Sequence, residues 1–340
     1  MRSPGALALA LLLLLAPAAP LLAQAHDAPA AAQGPVLPAA PGSAETLGEA
    51  MQNAEAKAQG AEKKYDIITP HITDGSHMEI PYWAPPFYKE IHLPHGPTFD
   101  VAGIHFDMSP TKHVIFLLLA ATLTAAVLIG TARAHTRHHH AAGRPRGFAA
   151  GLEAMILYLR EEVVMKNIPH GGARYAPFIL TLFFFILFAN LLGLIPYGST
   201  ATGNISVTAT LALITLVVVE FAGIRSQGAG YLKTIFYWPS DMPLAMKLPM
   251  TLIMAPIEIV GKLTKPFALA IRLFANMTAG HIVVLALVGL IFTFANLASG
   301  APLLMAVAIM VLELFVAFLQ AFIFALLSSV FIGQMVEAHH

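Results

Sequence analysis

The stretch that decides the architecture runs from Leu244 to Leu297 and reads LAMKLPM TLIMAPIEIV GKLTKPFALA IRLFANMTAG HIVVLALVGL IFTFANL. It stays apolar for about 50 residues, which as a single helix is ~75 Å long, whereas the hydrocarbon core of a bilayer is ~30 Å thick. An upright helix of that length does not fit a membrane. The stretch is therefore either two spans broken near Pro266 or one kinked and steeply tilted helix, and hydropathy alone leaves both open.

The composition places the whole chain in a membrane. Hydrophobic residues make up 57% of it and charged residues only 11%, whereas soluble domains carry roughly 25% charged residues. The formal net charge is zero, and no basic run is interleaved with aromatic residues, so the sequence argues against nucleic-acid binding. The absence of cysteine excludes disulfides, thiolate metal sites and thiol nucleophiles.

Further helices are predicted on both sides of the long stretch. Apolar segments of spanning length are His113–Ala132, Tyr175–Ile195, Ile205–Ala222 and Pro302–Met335. Residues Phe148–Lys166 repeat apolar side chains with a period near 3.6, which predicts an amphipathic helix at the membrane interface. The fold class is therefore all-α and integral to the membrane.

The first 25 residues are interpreted as a cleaved signal peptide. Arg2 precedes an apolar run, and Ala23 and Ala25 form a small-x-small cleavage signal. The alternative is an uncleaved membrane helix, but Pro17 and Pro20 interrupt the run short of the ~20 apolar residues that a span needs. The arginines after the first span (Arg133, Arg137, Arg144 and Arg146) place that loop in the cytoplasm by the positive-inside rule, and the N-terminus outside.

Residues 26–110 are predicted to form an extracytoplasmic linker and a small N-terminal extension, and residues 111–340 the membrane domain. Short runs at Ile67–Ile72, Phe87–Leu93 and Val101–Phe106, separated by proline and glycine, predict two or three brief strands. Histidines are frequent here and after the first span: His71, His77, His92, His95, His105 and the run His138–His140. None has metal-ligand spacing on one helix face, so we expect solvated side chains and no metal site.

The most informative feature is the set of ionisable and polar residues inside the last two apolar segments. They are Glu258, Lys262, Lys265, Arg272, His281 and Glu313, with Asn276 and Gln320. A charge near the centre of a bilayer costs ~2.5 to 3.5 kcal/mol on insertion scales, so such residues usually mark ion pathways. Glu258, Lys265 and Arg272 repeat every seven residues, which puts them on one stripe of a helix.

Two interpretations of these residues remain open from chemistry alone. Arg272 does not deprotonate, so it is either a fixed positive charge beside an ion path or one half of a buried ion pair with a carboxylate such as Glu313. His281 and Glu313 both exchange protons, and they are either relay groups or a structural hydrogen-bonded pair. Small residues surround the arginine (Ala268, Ala270, Ala275, Ala279 and Gly280) and predict close approach of another helix, from this chain or from a partner.

The run Ala268–Met277, ALAIRLFANM, resembles the signature of the a subunit of F-type ATP synthases, whose essential residue is the arginine. Three further blocks resemble that family: FANLLGLIP at Phe188–Pro196, NISVT at Asn204–Thr208 and LQAFIF at Leu319–Phe324. The resemblance covers roughly residues 110 to 335. It implies one tilted helix from about Pro243 to Phe292, paired with the last helix, and hence five crossings that leave the C-terminus in the cytoplasm.

The resemblance also implies roles for individual residues. Arg272 matches the family's arginine and Glu258 the acidic residue of its cytoplasmic half-channel, while Asn276 and Gln320 match polar neighbours of the arginine. His281 and Glu313 match the pair in the outer half-channel, in the order that only some members have.

The implied protein is a proton-translocating, non-catalytic subunit of the Fo sector in the bacterial inner membrane. Its implied partners are the c-ring, b-type peripheral stalk subunits and, indirectly, the F1 head, and it needs no cofactor. A self-contained ion-coupled secondary transporter is the competing function, although the chain shows no internal repeat. An intramembrane protease is disfavoured because H-E-x-x-H and G-x-S-x-G are both absent.

Overall fold

The computed structural model describes residues 74–81, 88–94, 96–101, 104–107, 109–138, 148–195, 198–236, 244–294 and 300–337. The predicted signal peptide, the linker and the predicted strand at Ile67–Ile72 lie outside these residues. Everything stated below concerns the described ranges.

Two antiparallel β-hairpins precede the membrane helices. Strand β1 (His77–Pro81) pairs with β2 (Tyr88–His92), and β3 (Thr98–Val101) pairs with β4 (Ile104–Asp107). The described residues thus contain four short strands where two or three were expected. The prediction of a single strand at Val101–Phe106 was wrong, because Val101 pairs with Ile104 and closes a hairpin inside that run.

The helices follow in chain order. Helix α1 is Lys112–His138, α2 is Phe148–Tyr158, α3 is Gly172–Gly193, α4 is Ile205–Gln227, α5 is Leu232–Ile235, α6 is Leu244–Phe294 and α7 is Gly300–Glu337. A π-helical segment, Leu159–Met165, continues α2, and 3₁₀ turns occupy Ala201–Gly203 and Gly228–Tyr231. Five of these helices, α1, α3, α4, α6 and α7, are long and apolar enough to cross a membrane. The predicted all-α integral membrane fold with five crossings is confirmed.

The long apolar stretch forms a single helix. Helix α6 has 51 residues and retains Pro249, Pro256 and Pro266 inside it, so the alternative of two spans broken near Pro266 was wrong. Proline is tolerated in membrane helices because neighbouring groups satisfy the freed backbone carbonyl. A helix of this length is ~77 Å long and fits a ~30 Å hydrocarbon core only when steeply tilted.

Helix α3 is the centre of the bundle. Most of its side chains are buried, including Phe183, Phe184 and Ile186, which are fully buried. The Phe183 ring meets the rings of Phe184 and of Phe318 edge to face, at centroid distances of 5.1 and 5.7 Å. Helices α1 and α7 pack against α3, while α4 packs against both α6 and α7. Helix α7 therefore packs on both α3 and α4, and α6 packs on α4 and α7.

The π-helical segment is fixed to the C-terminal part of α7. Its Val163 carbonyl accepts hydrogen bonds from the Ser329 hydroxyl at 3.0 Å and from the Asn167 amide at 2.6 Å. Gly333 of α7 packs so closely on Asn167 that a Cβ atom there would lie 3.0 Å from the Asn167 carbonyl carbon and nearer still to its oxygen. The sequence pattern predicted a regular helix over Phe148–Lys166, and the π-helical turn was not foreseen.

The N-terminus of α1 is capped by a residue far earlier in the chain. Asp74 Oδ1 accepts a hydrogen bond from the His113 backbone N–H at 3.3 Å and lies 2.9 Å from His113 Nδ1. The Lys112 N–H also donates to the Gly75 carbonyl at 3.1 Å. Carboxylates at a helix N-terminus stabilise its unpaired N–H groups. These contacts attach Asp74 and Gly75, the first described residues of the N-terminal extension, to the first membrane helix.

Candidate functional site

The middle of helix α6 has two different faces. Leu269, Leu273 and Met277 are buried against the rest of the chain. Arg272 and Asn276, one helical turn apart, are exposed. Because the buried residues recur every four positions, the opposite stripe of the helix is left uncovered by the described residues.

Arg272 has no ionic partner within the described part of the chain. Its guanidinium forms no hydrogen bond or ion pair there, although Glu313 is also described and is 8% exposed. The interpretation of Arg272 as one half of a buried ion pair with Glu313 was therefore wrong. What remains is a permanent positive charge on the open face of a membrane helix.

Glu313 instead packs against the backbone of α6 at Gly280. A Cβ atom at Gly280 would lie 3.2 Å from both Cγ and Cδ of Glu313, and closer still to Oε1. Because Gly280 precedes His281, the structure brings the Glu313 carboxyl group to the turn of α6 that carries this histidine. His281 is partly buried and itself has interactions with its surroundings. The predicted outer pair thus lies at one crossing of the two long helices.

Hydrogen bonds from the α3–α4 region fix this crossing. The buried Asn190 side chain donates to the Ala317 carbonyl at 3.2 Å and accepts from the Thr202 hydroxyl at 2.6 Å. From the same 3₁₀ turn, the Gly203 carbonyl accepts from the Thr278 hydroxyl of α6 at 3.3 Å. The turn therefore bonds directly to α6 near His281 and is linked through Asn190 of α3 to α7 near Glu313.

Gln320 lies two helical turns beyond Glu313 on α7 and is 5% exposed. It shares the buried side of α7 with Ala317 and Phe324. Glu258, by contrast, is exposed on the N-terminal half of α6. The six predicted site residues therefore divide into an exposed group, Arg272, Asn276 and Glu258, and a buried or partly buried group, His281, Glu313 and Gln320.

The two lysines of the predicted set bond to other helices. Lys262 Nζ lies 3.5 Å from Glu220 Oε2 of α4 and donates to the Tyr231 hydroxyl at 3.0 Å. Lys265 Nζ donates to Gln334 Oε1 of α7 at 3.0 Å. Both lysines thus connect the N-terminal half of α6 to neighbouring elements.

The small residues around Arg272 fall into two groups, one packed within this chain and one exposed. Ala270 is buried within the chain and Gly280 accommodates Glu313. Ala268, Ala275 and Ala279 are exposed. The exposed alanines lie on the side of α6 that carries Arg272, so a helix from another protein can approach the arginine closely.

Sequence reasoning missed Glu220 and Asn190. Glu220 lies inside the apolar segment predicted as the third span, so the rule that marked Glu313 also applied to it. Asn190 carried no comparable signal, since its partners are 12 and 127 residues away. Within the described residues no three His, Cys, Asp or Glu side chains come together in a group that could hold a metal ion.

The comparisons with known proteins identify the family. The family model described as ATP synthase A chain matches residues 114–333. The chain belongs to the ATP synthase subunit a family. The "ATP synthase subunit a 2" of Chlorobaculum tepidum is 44% identical over 299 residues, which cover 87% of this chain and 80% of that protein.

Other members of the family are similarly close. The "ATP synthase subunit a" of Myxococcus xanthus is 47% identical over 77% of this chain and 86% of its own length. That of Chloroherpeton thalassium is 42% identical over 81% of this chain and 77% of its own length. Neither the family match nor the five helices long enough to span a membrane supports the alternative function of a self-contained secondary transporter.

Proposed function

We propose that the chain is the proton-translocating stator subunit of the Fo sector, where it provides two half-channels to a rotating c-ring. The observation that carries this proposal is the exposed Arg272 on an alanine-lined face of a membrane helix. A permanent charge at this depth is costly unless it meets a partner. Since the described part of the chain supplies none, the partner is a carboxylate on another membrane protein.

The outer half-channel runs past Glu313 and His281. Both side chains exchange protons, and Glu313 is positioned against the α6 backbone at Gly280. A proton that enters from outside passes along this pair and neutralises a carboxylate on the adjacent ring subunit. The neutral carboxyl group is then able to face lipid as the ring turns.

Arg272 separates the two half-channels. Its positive field favours the ionised form of the ring carboxylate that arrives after nearly a full turn, so that carboxylate releases its proton. The proton leaves past Glu258 on the exposed inner half of α6, while Asn276 and Gln320 provide polar neighbours to the path. The transfer of one charge across the membrane yields ~2.3 kcal/mol per 100 mV, which rotation delivers to ATP synthesis in the F1 head.

The chain itself is non-catalytic in this proposal and carries no nucleotide-binding loop. Its remaining partners are the b-type subunits of the peripheral stalk. It lies in the bacterial inner membrane with the N-terminus outside and the C-terminus in the cytoplasm, and residues 1–25 are removed as a signal peptide. The basic residues in the last turns of α1 and after it, of which Arg133 is exposed, support this orientation.

The decisive experiment substitutes Arg272. In Arg272→Lys the charge is retained, but an ammonium is compact, lacks the planar fork and loses its proton when desolvated. We therefore expect ATP-driven pumping to be abolished. In Arg272→Ala the barrier between the half-channels is removed as well, so protons should leak through the membrane sector.

Proton flux is measured in vesicles stripped of F1 and coupled pumping in intact complexes. Ile271→Ala, which truncates the exposed neighbouring side chain without changing charge, serves as the matched control and should pump and seal normally. Near-normal coupled pumping in Arg272→Ala would eliminate the proposed mechanism. Lost pumping without a leak would leave the arginine essential but disprove its role as a seal.

A further inference from the structure

The N-terminal half of α6, called its inner half below because the proposed orientation puts it toward the cytoplasm, makes few contacts with the rest of the described chain. From Leu252 to Lys265 every residue is exposed except Ala255, which is buried, and Lys262, whose side chain is only 9% exposed. This segment carries Glu258, and it continues directly into the turn with Arg272. Its position is therefore determined by very few side chains.

Lys262 is the most extensively bonded of them. Its ammonium lies 3.5 Å from Glu220 Oε2 of α4, donates to the Tyr231 hydroxyl at 3.0 Å and to the Thr234 hydroxyl at 3.4 Å. It also lies 4.4 Å from the centroid of the Tyr231 ring. A single side chain thus bonds α6 to α4, to the 3₁₀ turn that follows α4 and to α5.

The pair is unusual for a membrane-spanning region. Glu220 is 25% exposed at its side chain, and Lys262 is its one ionic partner among the described residues. Removal of one partner of a buried ion pair leaves an uncompensated charge, which is far more costly than loss of an exposed pair. The interaction therefore resists sliding or lifting of α6 from α4.

We propose that Glu220 and Lys262 form an interhelical clamp that positions the inner half of α6, and with it Glu258, against the carboxyl group of the ring that carries the proton. Lys262 is one helical turn from Glu258 on the same helix, so a displacement at the clamp moves Glu258 directly. The residues are positioning residues and do not carry the proton. The functional part of this inference rests on the proposed function, whereas the structural part does not.

The first test measures position. The chain has no cysteine, so cysteines introduced at Ile224 of α4 and Ile253 of α6, which are 51% and 62% exposed, accept spin labels selectively within this subunit. In the intact complex, Lys262→Met should broaden the distance distribution between the labels. Lys262→Arg, which keeps the charge and stacks on tyrosine, should reproduce the wild-type distribution.

The second test measures transport in the same variants without labels. We expect Lys262→Met to lower ATP-driven pumping about tenfold at equal assembly, because misplacement of a reacting group by about 1 Å can cost up to about 100-fold. Lys262→Arg should restore it, as should the charge exchange Glu220→Lys with Lys262→Glu. Passive leak should stay low in all of them, since Arg272 is intact.

The outcomes separate the clamp from the proposed function. An unchanged label distance in Lys262→Met overturns the clamp, whatever happens to pumping. A broadened distance with normal pumping overturns its positioning role. If the Arg272 variants disprove the proton path, the label distances still decide whether the clamp exists. If Lys262→Met does not assemble, Glu220→Gln, which leaves the hydroxyl contacts of Lys262, should give a smaller broadening in the same direction.

Discussion

The contact between Gly280 and Glu313 predicts that a single methyl group disrupts proton entry. In Gly280→Ala the new Cβ atom would lie 3.2 Å from Cγ and Cδ of Glu313 and closer to Oε1. Those distances are shorter than ordinary van der Waals contact, and the helix backbone behind the methyl group does not yield. The carboxyl group must therefore move away from the turn that carries His281.

The expected magnitude follows from this displacement. Overpacking of a tightly packed site costs about 1 to 3 kcal/mol, which the bundle tolerates because Phe183, Phe184 and the rest of the core are untouched. Misplacement of a reacting group by about 1 Å costs up to about 100-fold in rate. We therefore expect an assembled complex whose ATP-driven pumping is reduced about 10- to 100-fold.

The assay is quenching of a pH-sensitive dye in vesicles, normalised to the amount of subunit present in the complex. Gly289→Ala is the matched control, since a Cβ atom at Gly289 of the same helix would meet nothing within 4 Å, and it should pump normally. Glu313→Asp in the Gly280→Ala background retracts the carboxyl group by one methylene and should restore part of the activity. Pumping within twofold of wild type in Gly280→Ala would refute the argument that the position of this carboxyl group controls proton entry.

Further predictions concern other parts of the chain. Asn190→Ala leaves buried partners unsatisfied and should cost about 1 to 3 kcal/mol, measured as a lower thermal midpoint of the purified complex. Burial raises the pKa of Asp74, but hydrogen bonding and charge attraction from His113 outweigh it and hold this pKa below its ordinary value. The stabilisation of the α1 N-terminus by Asp74 is therefore complete above about pH 4 and is lost as the pH falls through the lowered pKa. Proteolysis of the extension should accelerate only in that acidic range, and Asp74→Asn should remove the pH dependence. Exchange of His281 and Glu313 should impair pumping less than removal of either, because interacting groups titrate jointly; an exchange no better than the worse single variant contradicts this. Intact-mass measurement should find a mature chain that begins at His26, and a chain that retains residue 1 contradicts cleavage.

The sequence predicted most of the membrane architecture because hydrophobic length is a strong signal. The predicted span Tyr175–Ile195 corresponds to the helix Gly172–Gly193, and the predicted span Ile205–Ala222 corresponds to the helix Ile205–Gln227. The predicted and observed bounds differ by only a few residues. The choice between one and two helices at Leu244–Phe294 did not follow from hydropathy, because proline interrupts a membrane helix only where neighbouring groups fail to satisfy the backbone. Whether neighbouring groups bond the freed backbone carbonyl depends on tertiary packing, which cannot be predicted from a short stretch of sequence.

The site was predictable in its residue types but not in its contacts. Their charge inside predicted membrane spans identified Arg272 and Glu313 as candidate site residues. No local sequence pattern, however, excluded an ion pair between them. The structure separates them, because Glu313 faces the bare backbone of Gly280 while Arg272 lies on the open stripe of α6. The capping of α1 by Asp74, across 39 positions of sequence, likewise has no signature in any short window.

The buried amide of Asn190 imposes an order on biogenesis. The Thr202 hydroxyl, which donates to the Asn190 side-chain oxygen, is synthesised 12 residues later, but the Ala317 carbonyl to which the Asn190 amide donates comes 127 residues later. At about 5 to 20 residues per second, the ribosome needs ~6 to 25 s to cover that interval. During this time α3 lies in the membrane with an amide N–H group whose acceptor in the folded structure, on the last helix, has not yet been made. The Thr202 hydroxyl, in the turn between α3 and α4, already bonds the side-chain oxygen of Asn190 and so reduces the number of polar atoms exposed to lipid. The inserted pair of α3 and α4 can therefore keep this asparagine in the bilayer until α7 is made.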